Sequence, residues 1–253
     1  MSEILLVLLA GVAAGALNAV GGGGTFVALP ALVAVGLSPV TANASSTVAL
    51  APGALAGAWV YRRQLAPVGT TSTGSLTAIS VVGGGLGAGL VLLLPAVSFA
   101  AAVPWLLAFA TLILAFGRRV SRAVGEATGR SVGMSSRAVL IAQFPLAVYG
   151  GYFGGAVGII MLALWSIGLG LDTAASNPMR IAQLAAICLS ASVLFLVASD
   201  ALDSPLFLTT LLAGAVTGGF AGAHVALRLP ARLLRGVVLT TAVTMTVLYF
   251  LRG

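Results

Sequence analysis

Two apolar runs in this chain have an awkward length. Residues 4 to 36 and 138 to 170 are each too long for one membrane-crossing helix and too short for two, and both are interrupted near the middle by glycine. A bilayer core about 30 Å thick takes about 20 helical residues. Other apolar runs, at 41 to 60, 73 to 94, 99 to 116, 173 to 198, 205 to 224 and 233 to 251, match single crossings. The interruptions are Gly21-Gly22-Gly23-Gly24 in the first long run, and Gly150-Gly151, Gly154-Gly155 and Gly158 in the second. Glycine is a poor helix-interior residue, and irregular backbone at membrane depth persists only where protein buries it or a wet cavity borders it. Each long run is therefore expected to form a broken or re-entrant helical hairpin.

The composition agrees, with 60% apolar and 7% charged residues against about 25% charged in a soluble domain. All 12 basic residues are arginine, and they sit in short gaps between apolar runs, where charge orients a membrane protein. They do not form the aromatic-interleaved basic clusters of a nucleic-acid surface, so no nucleic-acid partner is expected. Cys188 is the single cysteine and His224 the single histidine. This excludes a disulfide framework and a cysteine or multi-histidine metal site, and no cofactor motif is present. Ser45 or Ser46 with His224 and a loop aspartate lacks the nucleophile-elbow pattern of a hydrolase. No enzyme is expected, and no catalytic residue.

The two awkward runs are related. Sliding the chain by 134 residues places Ala13, Gly21, Gly24, Gly36, Leu37 and Asn43 on Ala147, Gly155, Gly158, Gly170, Leu171 and Asn177. This divides the chain into a first membrane repeat at 1–116, a cytoplasmic linker at 117–136 and a second membrane repeat at 137–253. Arg62 and Arg63 follow the second run, and Arg118, Arg119, Arg122, Arg130 and Arg137 flank the linker, two crossings later. The positive-inside rule then puts both groups in the cytoplasm. If residues 138 to 170 enter and return on one side, Arg228, Arg232 and Arg235 are cytoplasmic too, while Asp200 and Asp203 face out. Each repeat becomes a hairpin plus three transmembrane helices, an odd number, so the repeats are inverted, a known transporter plan. The expected fold is an all-α polytopic membrane protein. Small residues at Gly11 and Gly15, Gly85 and Gly89, and Gly214, Gly218 and Gly222 suit close helix packing. That packing is read as intramolecular, with a homodimer left open. Trp59 and Tyr61 beside Arg62 suit an interfacial anchor.

In such a hairpin the second arm starts inside the membrane, near Thr25 and near Ile159. Helix N-termini carry unpaired N–H groups and partial positive charge, so two of them converging make an anion site. Gly22, Gly23 and Gly24 would let backbone approach a substrate. Asn18 precedes the first break, and Thr41-Ala42-Asn43-Ala44-Ser45-Ser46-Thr47 holds more amide and hydroxyl groups than capping requires. In the second half, Ser176-Asn177-Pro178-Met179-Arg180 opens an apolar run. Arg180 is the basic residue placed at membrane depth, with Gln183 one turn later. An intramembrane charge costs about 2.5 to 3.5 kcal/mol and is a site candidate by default. Its rival uses are snorkelling or pairing with Asp172. The candidate substrate-binding set is Asn18, Gly22, Gly23, Gly24, Thr25, Asn43, Ser45, Ser46, Asn177, Arg180 and Gln183, with no metal ligands.

The pattern Gly11-x3-Gly15-x2-Asn18-x2-Gly21-Gly22-Gly23-Gly24, then Pro30, Ala42-Asn43-Ala44-Ser45-Ser46-Thr47, Pro52-Gly53 and Tyr61-Arg62-Arg63, resembles the TauE/SafE sulfite exporter family. The likeness covers essentially the whole chain. It implies a multi-pass protein of the cytoplasmic (inner) membrane that moves sulfite, sulfonates or related small sulfur-containing anions, with the anion and the lipid bilayer as partners. The alternatives are proton-coupled uptake of a carboxylate or sulfur compound, and a non-transport membrane assembly subunit. The latter has no need of glycine breaks beside polar clusters.

Overall fold

The computed structural model describes residues 2–21, 23–128, 133–171, 175–226 and 231–252, and these are helical apart from short turns and loops. The helices are α1 (Ser2–Gly21), α2 (Thr25–Ala34), α3 (Pro39–Tyr61), α4 (Thr73–Leu93), α5 (Ala96–Thr128), α6 (Ser136–Tyr152), α7 (Val157–Leu169), α8 (Asn177–Ala198), α9 (Pro205–Ala226) and α10 (Ala231–Arg252). Each long apolar run is indeed broken into two helices. The α2 helix has 10 residues and α7 has 13, only about 15 and 20 Å at 1.5 Å per residue. Neither can cross a bilayer alone. By contrast Thr73–Leu93, Ala96–Ile113 and Asn177–Ala198 are long and apolar enough to do so. Large apolar side chains such as Val97, Trp105 and Val197 are exposed on the outside, as a lipid-facing surface requires.

The break between α1 and α2 falls where glycine was expected, with α2 beginning at Thr25. Between α6 and α7 it lies at Phe153–Ala156, so α7 starts at Val157, two residues before the expected Ile159. Gly150, Gly151 and Gly158 are helical. The turn itself is made by Gly154 (φ 82°) and Ala156 (φ 59°), both left-handed. Tyr149 closes it, its hydroxyl donating to the Gly155 carbonyl at 2.8 Å.

Helix direction follows from the packing. The α1 and α9 helices run parallel, Gly11 lying on Leu211 and Gly15 on Ala215. Likewise α6 and α4 run parallel, with Ala147 on Gly83 and Val148 on Gly87. Thus the first helix of each half packs on the fourth helix of the other. The α3 and α8 helices run antiparallel, because Cys188 and Ser192 both reach the Thr47 carbonyl while Gly57 faces Ile181.

Two ends of the bundle differ in charge. At one end the α2–α3 connection and the start of α9 border an opening of about 400 Å³ that contains Ser38, Asp200 and Asp203. At the other, α3 ends at Tyr61, and Arg62 lies 4.1 Å over the Trp59 ring. The α6–α7 hairpin begins and ends at this arginine end. Ser136 is hydrogen-bonded to Thr70 at 2.7 Å, Met134 N donates to Gly168 O at 3.0 Å, and Leu169 lies against Gly69.

The closest approaches need glycine. A Cβ on Gly15 or Gly218 would overlap the carbonyl of Ala215 or Val12, and on Gly87 or Gly151 that of Val148 or Gly84. Gly85 meets nothing within 4 Å, and Gly89 only Leu194 at 3.7 Å. The tight glycines of α4 are therefore Gly83, Gly84 and Gly87. Gly218→Ala is expected to lose about 1–3 kcal/mol by overpacking, whereas Gly85→Ala should be neutral or gain up to about 1 kcal/mol of helix propensity. Thermal unfolding of the two detergent-purified variants checks this.

Candidate functional site

The α3 helix begins before its polar cluster. Ser38 caps it, accepting from Thr41 N at 3.1 Å, and Pro39 fills the first turn. Asn43, Ser45, Ser46 and Thr47 are therefore helix-interior residues, and capping accounts for none of them. Ser46 and Thr47 each donate their hydroxyl to the Asn43 carbonyl at 2.9 Å. As arranged, Ser46 presents lone pairs rather than a proton. Ser45 is buried with no hydrogen-bond partner for its hydroxyl. Two positions from Asn43 is about 200° around a helix, so Ser45 faces away from Asn43.

Asn43 is completely buried and donates its carboxamide to the carbonyl of Tyr152, 3.1 Å away on the last turn of α6. Its Oδ1 has no partner. The first half thus braces the break of the second. Thr25, the first residue of α2, lies on the same break, with Oγ1 3.8 Å from where a Gly154 Cβ would stand. Gly23 and Gly24 are buried and Asn18 is half-buried. A Cβ on Gly24 would lie 2.7 Å from the Ala14 carbonyl and 3.2 Å from Asn18 Cβ, so Gly24 folds α2 back onto α1. Gly22 lies outside the described residues.

Arg180 comes from the first turn of α8. Asn177 holds it by accepting from Nε at 2.9 Å, and the guanidinium leans over the start of α7. A Cβ on Gly158 would sit 2.7 Å from its Nη1. A guanidinium beside a buried helix N-terminus brings together two positive centres, an arrangement that an anion stabilises. Asp172, the alternative ion-pair partner, is outside the described residues. The structure does not bring Asn43 and Arg180 face to face. Gly57 is beside Ile181, and Asn43 lies fourteen residues further up α3, about 20 Å away at 1.5 Å per residue. The two approach the α6–α7 break from opposite sides, Asn43 at Tyr152 and Arg180 at Gly158.

Gln183 is fully buried and donates to Thr77 Oγ1 at 3.1 Å and to Met179 Sδ at 3.2 Å. A residue that the sequence reading left out joins it. Gln143 is also fully buried and donates to Ser80 Oγ at 3.1 Å, with Met161 Sδ at 3.9 Å. An amide in the middle of an apolar run was its available signal. Among the described residues no group of three or more His, Cys, Asp or Glu is placed to hold a metal ion.

Two broken half-helices, one of them with Arg180 over its buried N-terminus, fit a membrane transport protein for small solutes. The model of the sulfite exporter TauE/SafE family matches residues 7–249, and the chain belongs to that family of membrane transporters rather than to an enzyme class. No curated protein matches the chain, and no solved structure does.

The glycines equivalent under the 134-residue shift do different work, and this is testable. In Gly24→Ala the added methyl meets backbone, so the folded yield should fall severalfold. In Gly158→Ala it meets the far ends of two flexible side chains, Arg180 and Leu184, so the protein should fold within about 1 kcal/mol of wild type while the guanidinium is displaced. Fluorescence-detected size-exclusion chromatography and anion flux on the same preparations separate the two effects.

Proposed function

We propose that this chain exports a small sulfur oxyanion, sulfite or a sulfonate, across the cytoplasmic membrane through two inverted repeats, residues 1–116 and 137–253, joined by the cytoplasmic linker 117–136. The observation that carries the reading is Arg180 laid over the α7 N-terminus at Gly158. The guanidinium, the α7 N–H groups and Thr25 from the other hairpin surround the α6–α7 break. Asn177 orients the cation, Asn43 fixes the end of α6, and Gln183 extends the polar lining. Asn18, Gly22, Gly23 and Gly24 continue the proposed substrate path in the first half, while Ser46, bonded to the Asn43 carbonyl, and Ser45, on the other side of α3, stand outside it. A planar guanidinium binds an oxyanion through two parallel hydrogen bonds, which an ammonium cannot reproduce.

The repeat exchange and the opposed hairpins support inversion. One hairpin opens at the Asp200 and Asp203 end and the other at the Arg62 end. The positive-inside rule makes the arginine end cytoplasmic. A cytoplasm-negative potential then supplies about 2.3 kcal/mol per charge per 100 mV to anion export, and no proton partner is needed.

Two experiments test this. In liposomes, Arg180→Lys should transport weakly with a raised half-saturation, and Arg180→Gln should lose nearly all sulfite flux. Asn43→Ala, which leaves the neutral Tyr152 carbonyl without its donor, should cost less, about 1 to 3 kcal/mol. Wild-type kinetics in Arg180→Gln would remove the arginine from the site. In a Cys188→Ser background, Ser204→Cys should react with an impermeant thiol reagent in intact cells and Ala66→Cys should not. Equal labelling would refute the inverted topology.

A further inference from the structure

The glutamine pair carries an inference about which form of the anion is handled, and it rests on the transport reading above. Gln143 and Gln183 hang on Ser80 and Thr77, which are three residues apart on α4 and so share one face. Which end of each carboxamide points where is decided by sulfur. A thioether accepts hydrogen bonds and cannot donate. Each NH2 group therefore turns to its methionine, Met161 for Gln143 and Met179 for Gln183, while the α4 hydroxyls accept equally well as they donate. The carbonyl oxygens Oε1 of both glutamines are left buried without a partner. A buried acceptor without a donor is costly, and both glutamines that carry one hang from the same face of α4. The same core cluster holds an orphaned donor, Trp165 Nε1, one turn beyond Met161 on α7.

A fully deprotonated oxyanion has only lone pairs and would be repelled by the two carbonyl oxygens. A hydrogen-oxyanion with a single negative charge has both functions. Its proton can go to a glutamine oxygen, and its charged oxygens can accept from Arg180, the α7 amides and Trp165. We infer that Gln143 and Gln183 make this site selective for the protonated monoanion of a sulfur oxyanion, hydrogensulfite in the case of sulfite, over the dianion. The charged or titratable groups on the packed elements are few. The α4 and α7 helices have none. The α6 helix has Arg137 at its start, Tyr149 committed to Gly155 and Tyr152 packed edge-to-face on Phe99. The α8 helix has Arg180, and Cys188, which faces the Thr47 carbonyl on α3. Packed on α8, the end of α3 and the turn after it add Tyr61, Arg62 and Arg63, and α5, packed on α7, has Arg118, Arg119, Arg122 and Glu126 in its last third. None of these side-chain types ordinarily titrates near pH 7, so a pH dependence there belongs to the substrate.

The experiment is flux into proteoliposomes at fixed total sulfite, with protein-free liposomes subtracted. Between about pH 6 and pH 8, wild-type flux should fall severalfold in step with the monoanion. Methanesulfonate, a monoanion with no acidic proton in this range, should move at least severalfold more slowly than hydrogensulfite at equal concentration. Gln143→Met and Gln183→Met should flatten the pH profile and narrow the gap between the two anions. Flux that is flat or rises with pH, or equal flux of the two anions, would overturn the inference and leave the transport reading standing. An unchanged profile in both variants would assign the amides to helix packing or a trapped water, and would overturn it too. Absence of flux for every anion would overturn the transport reading and this inference with it. If either variant fails to fold, the wild-type arms still decide.

Discussion

Backbone that leaves the helix inside a membrane protein has no water to bond with, and every other feature of this fold accommodates two such breaks. The most telling contact is the Asn43 carboxamide on the Tyr152 carbonyl, because a side chain from one half satisfies the end of a helix in the other. The Tyr149 hydroxyl on Gly155 does the same locally. Both bonds require that the breaks be wrapped by helices at close range. That is the structural reason for glycine along α1, α4, α6 and α9: a methyl group at Gly15, Gly87, Gly151 or Gly218 would overlap a backbone carbonyl of the facing helix. Close packing and broken helices are two parts of one solution.

The existence of the breaks was legible because run length and glycine position both register in a sequence. Their geometry was partly so. Thr25 opens α2 as expected, since four consecutive glycines leave little choice. In the second half glycine is spread over nine positions, from Gly150 to Gly158, and the turn settles on Gly154 and Ala156. A non-glycine residue in the left-handed region is a tertiary outcome that no local propensity favours. The glycine pair Gly85 and Gly89 has the right spacing and the wrong face, because spacing alone does not say which side of α4 meets α6. The run from Thr41 to Thr47 looked like a single cluster, but helical geometry divides it. Ser46 and Thr47 turn back onto the Asn43 carbonyl, and Ser45 points elsewhere. Gln143 was overlooked because its partner Ser80 is 63 residues away, and nothing in the sequence links them.

The two halves share their helix order and packing partners but differ at the site. Position by position, Gly24 corresponds to Gly158 and Ser46 to Arg180. Gly24 uses its missing side chain to close α2 against the Ala14 carbonyl, while the space above Gly158 is filled by the Arg180 guanidinium. The same small residue closes a hairpin in one half and makes room for a cation in the other. A symmetric duplication would place equal charge at both helix N-termini. Here the positive charge lies by α7 and the neutral groups lie by Asn43, so the surroundings differ on the two sides of the break. A carrier that releases its substrate to one side benefits from such inequality, because a path equally attractive along its whole length would hold a substrate rather than pass it on.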